Sequence, residues 1–221
     1  MKTLLIGSSS DIAKNLINSY STEFDFVELT STVEHSEQHQ YVLMDESTYP
    51  NIDGNISGFV YFPGSINLRP FSGLKLSDFQ TDYEINVLGL IKVLKHYHKQ
   101  FTDDASVVFF SSVAASVGMP YHSSIATYKS AIEGLCRSLA AEWAPKIRVN
   151  CIAPSVVKTK LSKRLFRTEA QHEQLNSRHP LNRVGQPNDI ADVVSFLLSK
   201  KSSWITGQVI SIDGGLSTIK K

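Results

Sequence analysis

Short apolar runs, each ended by a turn residue and separated from the next by stretches of helical spacing, set the reading of this chain. "KTLLIG" (2–7) is apolar and stops at a glycine; "SSSDIAKNLINSY" follows with Ile12, Leu16 and Ile17 spaced as on one helix face. Strand, tight turn and helix are therefore predicted at the start. Further runs rich in β-branched and aromatic residues occur at "FDFVELT", "YVLMD", "ISGFVYF", "ASVVFFSS", "KIRVNCIA" and "GQVISID", with helical patterns between most of them. Continuously apolar strands alternating with helices predict a parallel sheet covered on both faces. The expected fold is α/β: one doubly wound Rossmann-like domain spanning 1–221, with a parallel sheet of about seven strands flanked by helices. No internal repeat, low-complexity tract or linker interrupts the pattern.

Composition adds little. Lys plus Arg (22) nearly balances Asp plus Glu (21), so the overall charge points to neither a nucleic-acid nor a membrane-surface partner. Cys136 and Cys151 stand apart in apolar surroundings, without metal-ligand spacing, and read as buried free thiols. With no apolar run near the ~20 residues of a bilayer span, and Met1 leading straight into a strand, a cytoplasmic protein is expected. His96 and His98, two apart on a predicted helix, cannot readily share a metal.

The first strand-to-helix turn is where this fold holds a pyrophosphate, because exposed N–H groups and the helix dipole favour an anion there. Gly7 supplies the turn, Ser8, Ser9 and Ser10 supply hydroxyls, and Asp11 reads as a helix N-cap ahead of Ile12. At the end of the second strand, Thr30, Ser31 and Thr32 are neutral donors. An acid there would bond the ribose 2′-hydroxyl of NAD, so neutral residues favour NADP, while Glu28 keeps NAD open. Between Thr30 and Tyr41 there is little room for a crossover helix, and the adenine side looks trimmed.

The stretches "VVFFSSVAASVGMP", "KSAIEGLCRSLAAEWAPKIRVNCIAPSVVKT" and "PLNRVGQPNDIADVVSFLLSKKSSWITGQVISIDGG", read with "EINVLGLIKVL", resemble the short-chain dehydrogenase/reductase family, most of all its bacterial 3-oxoacyl-[acyl-carrier-protein] reductases. The resemblance implies a catalytic Asn, Ser, Tyr and Lys. Asn86 matches the helix-kinking residue of the proton relay, Ser112 the residue that orients the substrate carbonyl, and Lys129 the residue that holds the nicotinamide ribose. The tyrosine belongs four before the Lys and thirteen after the Ser, which is one and the same position: Ile125. The resemblance also places Asp45, Gly64, Pro154, Val157 and Thr159 at the dinucleotide, beside Gly7, Ser9, Ser10, Asp11, Ile12, Thr30, Ser31, Asn86 and Lys129.

Several positions depart from the family pattern. Asp11 and Ala13 replace two glycines of the first turn, "YFPG" (61–64) replaces Asn-Asn-Ala-Gly, and Ser155 replaces the Gly of a Pro-Gly pair. Three residues could stand in for the missing acid: Tyr128, one helical turn from Ile125, and Tyr121 and His122 in the preceding loop. Each has an ordinary alternative as a packing or surface residue. The segment 158–181 matches the family's substrate lid and carries Lys158, Lys160, Lys163, Arg164 and Arg167 with no intervening acid, suited to an acidic or phosphorylated acyl carrier. The helices over 78–101 and 125–144 correspond to those with which family members form dimers, usually within tetramers. Two functional readings follow: an NAD(P)(H)-dependent oxidoreductase acting on a small-molecule carbonyl, such as a 3-oxoacyl thioester, as a homodimer or homotetramer; or a catalytically silent homologue serving as a nucleotide- or protein-binding subunit.

Overall fold

The computed structural model describes residues 1–220. Seven strands form one parallel sheet: β1 (Lys2–Ile6), β2 (Asp25–Thr30), β3 (His39–Gln40), β4 (Ile56–Tyr61), β5 (Phe101–Phe110), β6 (Arg148–Pro154) and β7 (Val209–Ile212). Their spatial order is β3-β2-β1-β4-β5-β6-β7, so the chain reverses direction across the sheet between β1 and β4. A crevice opens at that reversal, beyond the carboxyl ends of the strands.

Alternation along each strand assigns side chains to the two faces. Leu4, Ile6, Phe59, Tyr61, Val107, Phe109, Val149 and Cys151 pack on one face. That face is covered by α3 (Gly89–Tyr97), through Leu90, Val93, Leu94 and Tyr97, and by α4 (Ser123–Trp143), through Ile132, Cys136 and Ala140. Leu5, Val60, Val108, Phe110 and Ile152 point the other way, against Leu16 of α1 (Asp11–Tyr20) and Ile190, Ala191, Val194, Leu197 and Leu198 of α6 (Pro187–Leu198). Both faces are dry, which is why the strands read as unbroken apolar runs. Cys136 and Cys151 are buried, and burial pushes the Cys136 thiol up to about 12, as befits packing residues.

Two expectations need correction. "YVLMD" is not a strand: β3 has two residues and precedes it, and Val42 and Asp45 close a tight turn through an isolated bridge. Its apolar residues are there for packing. Tyr41 is buried edge-on to Tyr49, and Leu43 fills the space that the missing side chain of Gly89 leaves open. The N-cap of α1 is Ser10 rather than Asp11, which is the first helical residue and uses its carboxylate elsewhere. Among the described residues no helix is long and apolar enough to cross a membrane.

α2 (Leu76–Tyr83) runs into α3 through a single π-helical turn, Glu84–Leu88, with Asn86 at its centre. Single π turns of this kind mark functional sites more often than plain helix does. α5 (Glu169–Arg178) sits over the crevice and is held by a capping box in which Thr168 and Gln171 satisfy one another's backbone.

Candidate active site

The crevice is a cavity of about 770 Å³ that extends from the first turn of α1 to the lid formed by residues 158–181. Gly7, Ser9, Ser10, Asp11, Ile12, Ser31 and Gly64 line it. So do Ser112, Ile125, Lys129, Pro154, Val157 and Thr159. Phe62, Ile66, Leu68, Met119, Leu161 and Leu165 make its middle strongly apolar.

The dinucleotide end is built for close approach. Gly7 has φ +80°, and a Cβ there would stand 3.0 Å from Pro63 Cδ. Ser10 caps α1 by position only; its hydroxyl makes no capping bond, and the buried Ser8 hydroxyl has no partner. Gly64 faces two groups at once. A Cβ on it would lie 3.6 Å from both Asn86 Oδ1 and Lys129 Nζ. Asn86 is fixed by donating through Nδ2 to Ser65 Oγ (2.9 Å) and to the Asp82 carbonyl (2.8 Å), while its buried Oδ1 is unpartnered. Lys129 is buried and donates to the Phe110 carbonyl at 2.9 Å; burial lowers its pKa to about 8. An orphaned acceptor, a buried cation and glycines that clear the backbone fit a bound nicotinamide dinucleotide.

One feature works against tight phosphate binding. The Asp11 carboxylate accepts the backbone N–H of Lys160 at 2.5 Å, clasping α1 to the lid across the mouth of the phosphate end. Other sequence-predicted residues lie away from the cavity. Thr30 is buried and turns its hydroxyl to the Thr32 carbonyl. Asp45 is exposed and caps a short turn through Ser47, whose hydroxyl and backbone N–H hold its carboxyl low. Glu28 is buried against Gln38 Nε2 (2.8 Å) on the far side of β2, so it gives no support to NAD over NADP.

The substitutes for the missing acid separate clearly. Ile125 is buried in the cavity wall, where the expected tyrosine would stand. Tyr128 is not on that wall. It packs on Tyr83 of α2 with ring centroids 5.8 Å apart, and burial, with Asp82 and Tyr83 nearby, raises its pKa. Three residues along a helix rotate a side chain by about 60° relative to its starting point, which carries this ring onto α2. Tyr121 is 59% exposed at φ +69° and does not line the cavity. His122 lines it, but its Nδ1 is bonded to the Pro120 carbonyl at 2.7 Å.

Sequence reading missed two groupings. Asp82, 2% exposed, accepts from Ser65 Oγ (2.5 Å) and Ser124 Oγ (2.6 Å), bracing the π turn behind Asn86; its place one turn before Asn86 was the available signal. Ser155 Oγ lies 2.9 Å from His179 Nε2, both lining the cavity, and nothing in the local sequence joins them.

A family model described as enoyl-(acyl carrier protein) reductase matches residues 13–217. A tropinone reductase homologue of Arabidopsis thaliana is 30% identical over 213 residues, 94% of this chain and 81% of the relative. The chain belongs to the short-chain dehydrogenase/reductase family. A second Arabidopsis thaliana tropinone reductase homologue is 33% identical over 217 residues, with 94% and 80% covered. Among solved members of the fold, the ligand-free aldohexose dehydrogenase of Thermoplasma acidophilum superposes with a TM-score of 0.88 at 24% identity, over 100% of this chain and 97% of that one. ElxO with NADP bound gives 0.83 at 25% identity, over 99% of both chains.

Proposed function

We propose that this family member is an NADP(H)-dependent oxidoreductase that interconverts a carbonyl and an alcohol on a largely apolar substrate. Carrying the reading is the convergence of Ser112 and Lys129 on one cavity with the first turn of α1, with Lys129 Nζ and Asn86 Oδ1 both facing Gly64. Gly7, Ser9, Ser10 and Ile12 would hold the pyrophosphate, Ser31 the adenosine ribose, and Lys129 the nicotinamide ribose. When bound, the dinucleotide supplies hydride to the carbonyl carbon or removes it. Ser112, whose Oγ accepts the Ala114 N–H at 3.2 Å, keeps its own proton for the carbonyl oxygen and orients it. The apolar middle of the cavity suits a hydrocarbon body, and the exposed Lys163, Arg164 and Arg167 at the lid suit an acidic carrier of an acyl thioester. The NADP complex of ElxO supports the cofactor, and the names of the Arabidopsis relatives support a ketone. NAD(H) remains the alternative cofactor. The outward faces of α2 and α4, with Leu76 89% exposed and Tyr83 partly so, support a homodimer or homotetramer.

Ile125 favours a second reading, a nucleotide-binding homologue without turnover. Calorimetric titration with NADPH and NADH, followed by a carbonyl panel containing tropinone and a 3-oxoacyl thioester, separates the two. Binding plus turnover is expected. Binding without turnover of any carbonyl would leave the second reading standing, and absence of binding would overturn both.

Two further outcomes follow from the site. Asp11→Gly removes a carboxylate from the anion-binding helix end, a charge effect worth up to about 1 kcal/mol, and is expected to tighten NADPH about fivefold by calorimetry. Unchanged or weaker binding would mean that the clasp supports the cofactor. Tyr128→Phe is expected to leave turnover within about twofold of wild type, because the phenol faces α2; a larger loss of kcat would return that residue to the active site.

A further inference from the structure

With no acid at position 125, the oxygen of a reduced carbonyl needs another source for its proton. We infer that Ser155 and His179 form that source, Ser155 touching the substrate oxygen and His179 supplying Ser155 from behind. This rests on the oxidoreductase reading above.

The placement comes from the sheet. β5 and β6 are adjacent and parallel, with Phe110 opposite Ile152, and the Ser111 N–H donates to the Ile152 carbonyl at 2.7 Å. Ser112 leaves the end of β5 and Ser155 leaves the end of β6, so the two hydroxyls emerge from neighbouring strands, which lie about 4.8 Å apart, into one cavity. Lys129 Nζ is tied to the Phe110 carbonyl at the same strand end.

The His179 ring is set for relay. Its Nδ1 lies 2.7 Å from the Leu175 carbonyl, which can only accept, so Nδ1 carries a proton and Nε2 faces Ser155 Oγ at 2.9 Å. In the neutral ring Nε2 accepts the serine proton. In the imidazolium, Nε2–H donates to Oγ and the serine O–H is released towards the cavity. Nucleophile-or-acid hydroxyl, imidazole and a third group fixing the ring make up the arrangement by which side-chain hydroxyls are activated. The ring is 1% exposed. The charged groups around it are Asp213, from the turn after β7, and Arg178, its neighbour on α5; Lys129 and Lys160 stand on other walls of the cavity. Burial raises the Asp213 carboxyl, but the Ser217 hydroxyl and backbone, the Gly215 N–H and the imidazole itself hold it low.

In reduction, the carbonyl carbon accepts hydride from the reduced nicotinamide dinucleotide and the C=O π pair moves to oxygen. That oxygen takes the Ser155 proton, and Ser155 takes the Nε2 proton. His179 is left neutral, and once the alcohol has left, water in the cavity returns a proton to Nε2 by way of the Ser155 hydroxyl. In oxidation each transfer reverses.

Ser155→Ala tests the relay. At neutral pH the kcat for carbonyl reduction is expected to fall about 100-fold, with NADPH affinity by calorimetry within about twofold of wild type. His179→Gln, which keeps a polar group of similar reach, is expected to lose kcat comparably and to flatten its pH profile. Ile125→Tyr added to Ser155→Ala is expected to recover activity, because the phenol then serves the oxygen directly. Full turnover in Ser155→Ala, or a pH profile of kcat left unchanged by His179→Gln, overturns the relay alone. A wild type that binds NADPH and turns over no carbonyl overturns the relay and the oxidoreductase reading together.

Discussion

Replacing Lys129 by methionine is expected to abolish turnover and, at neutral pH, to make the fold more stable. Lys129 is buried, it donates to the Phe110 carbonyl, and burial lowers its pKa from 10.5 to about 8. Holding it charged at pH 7 therefore costs on the order of 3 kcal/mol. Methionine removes that cost but strands the carbonyl, a loss of about 1–2 kcal/mol, which leaves a net gain of about 1–2 kcal/mol. The sign of the pH dependence follows. Between about pH 8 and 10.5 the unfolded chain keeps the Lys129 proton and the folded one does not, so wild-type stability rises with pH through that window. Lys129→Met lacks that rise. Urea denaturation at pH 7 and pH 9.5 measures the difference, and parallel stability curves for the two proteins would show that the lysine is not desolvated. NADPH affinity is expected to fall in the same variant, as it would if a destabilising charge is kept to hold the nicotinamide ribose; unchanged affinity would separate Lys129 from the cofactor.

The second large effect is expected from Ile125→Tyr alone. A phenol at this buried position on the cavity wall stands one helical turn before Lys129, whose cation favours proton release to a developing alkoxide. General-acid catalysis is worth about 10²–10⁴-fold, and part of that is already supplied, so a rise in kcat of about tenfold or more is expected, together with loss of sensitivity to Ser155→Ala. A variant that melts normally and gains nothing would mean that the substrate carbonyl does not approach position 125.

Much of the fold was legible because both sheet faces are dry: β1, β4, β5 and β6 each present unbroken apolar runs whose odd and even residues feed two separate cores. "YVLMD" misled for the same reason that the others informed. Tyr41 and Leu43 are apolar because they fill a gap beneath Gly89 and Tyr49, and apolarity by itself does not distinguish a strand from a packed turn. Within the site, the residues carried by local motifs, Ser112 and Lys129, line the cavity together. Tyr128 did not, because helix rotation decides where its ring goes. The pairs that were missed cross the fold. His179 reaches Ser155 over 24 residues and Ser124 reaches Asp82 over 42, and no periodicity records such meetings.

The clasp between Asp11 and Lys160 has a kinetic side. A dinucleotide entering the phosphate end competes with that bond and with the charge that makes it, while one that is leaving is replaced by it. The same contact that weakens the bound state therefore lowers the barrier to exit, and release of spent cofactor is the step that limits many enzymes with lids. If Asp11→Gly tightens NADPH as expected, a glycine at position 11 would favour long residence and aspartate exchange, and tightness at the phosphate turn would have been exchanged for a shorter cycle.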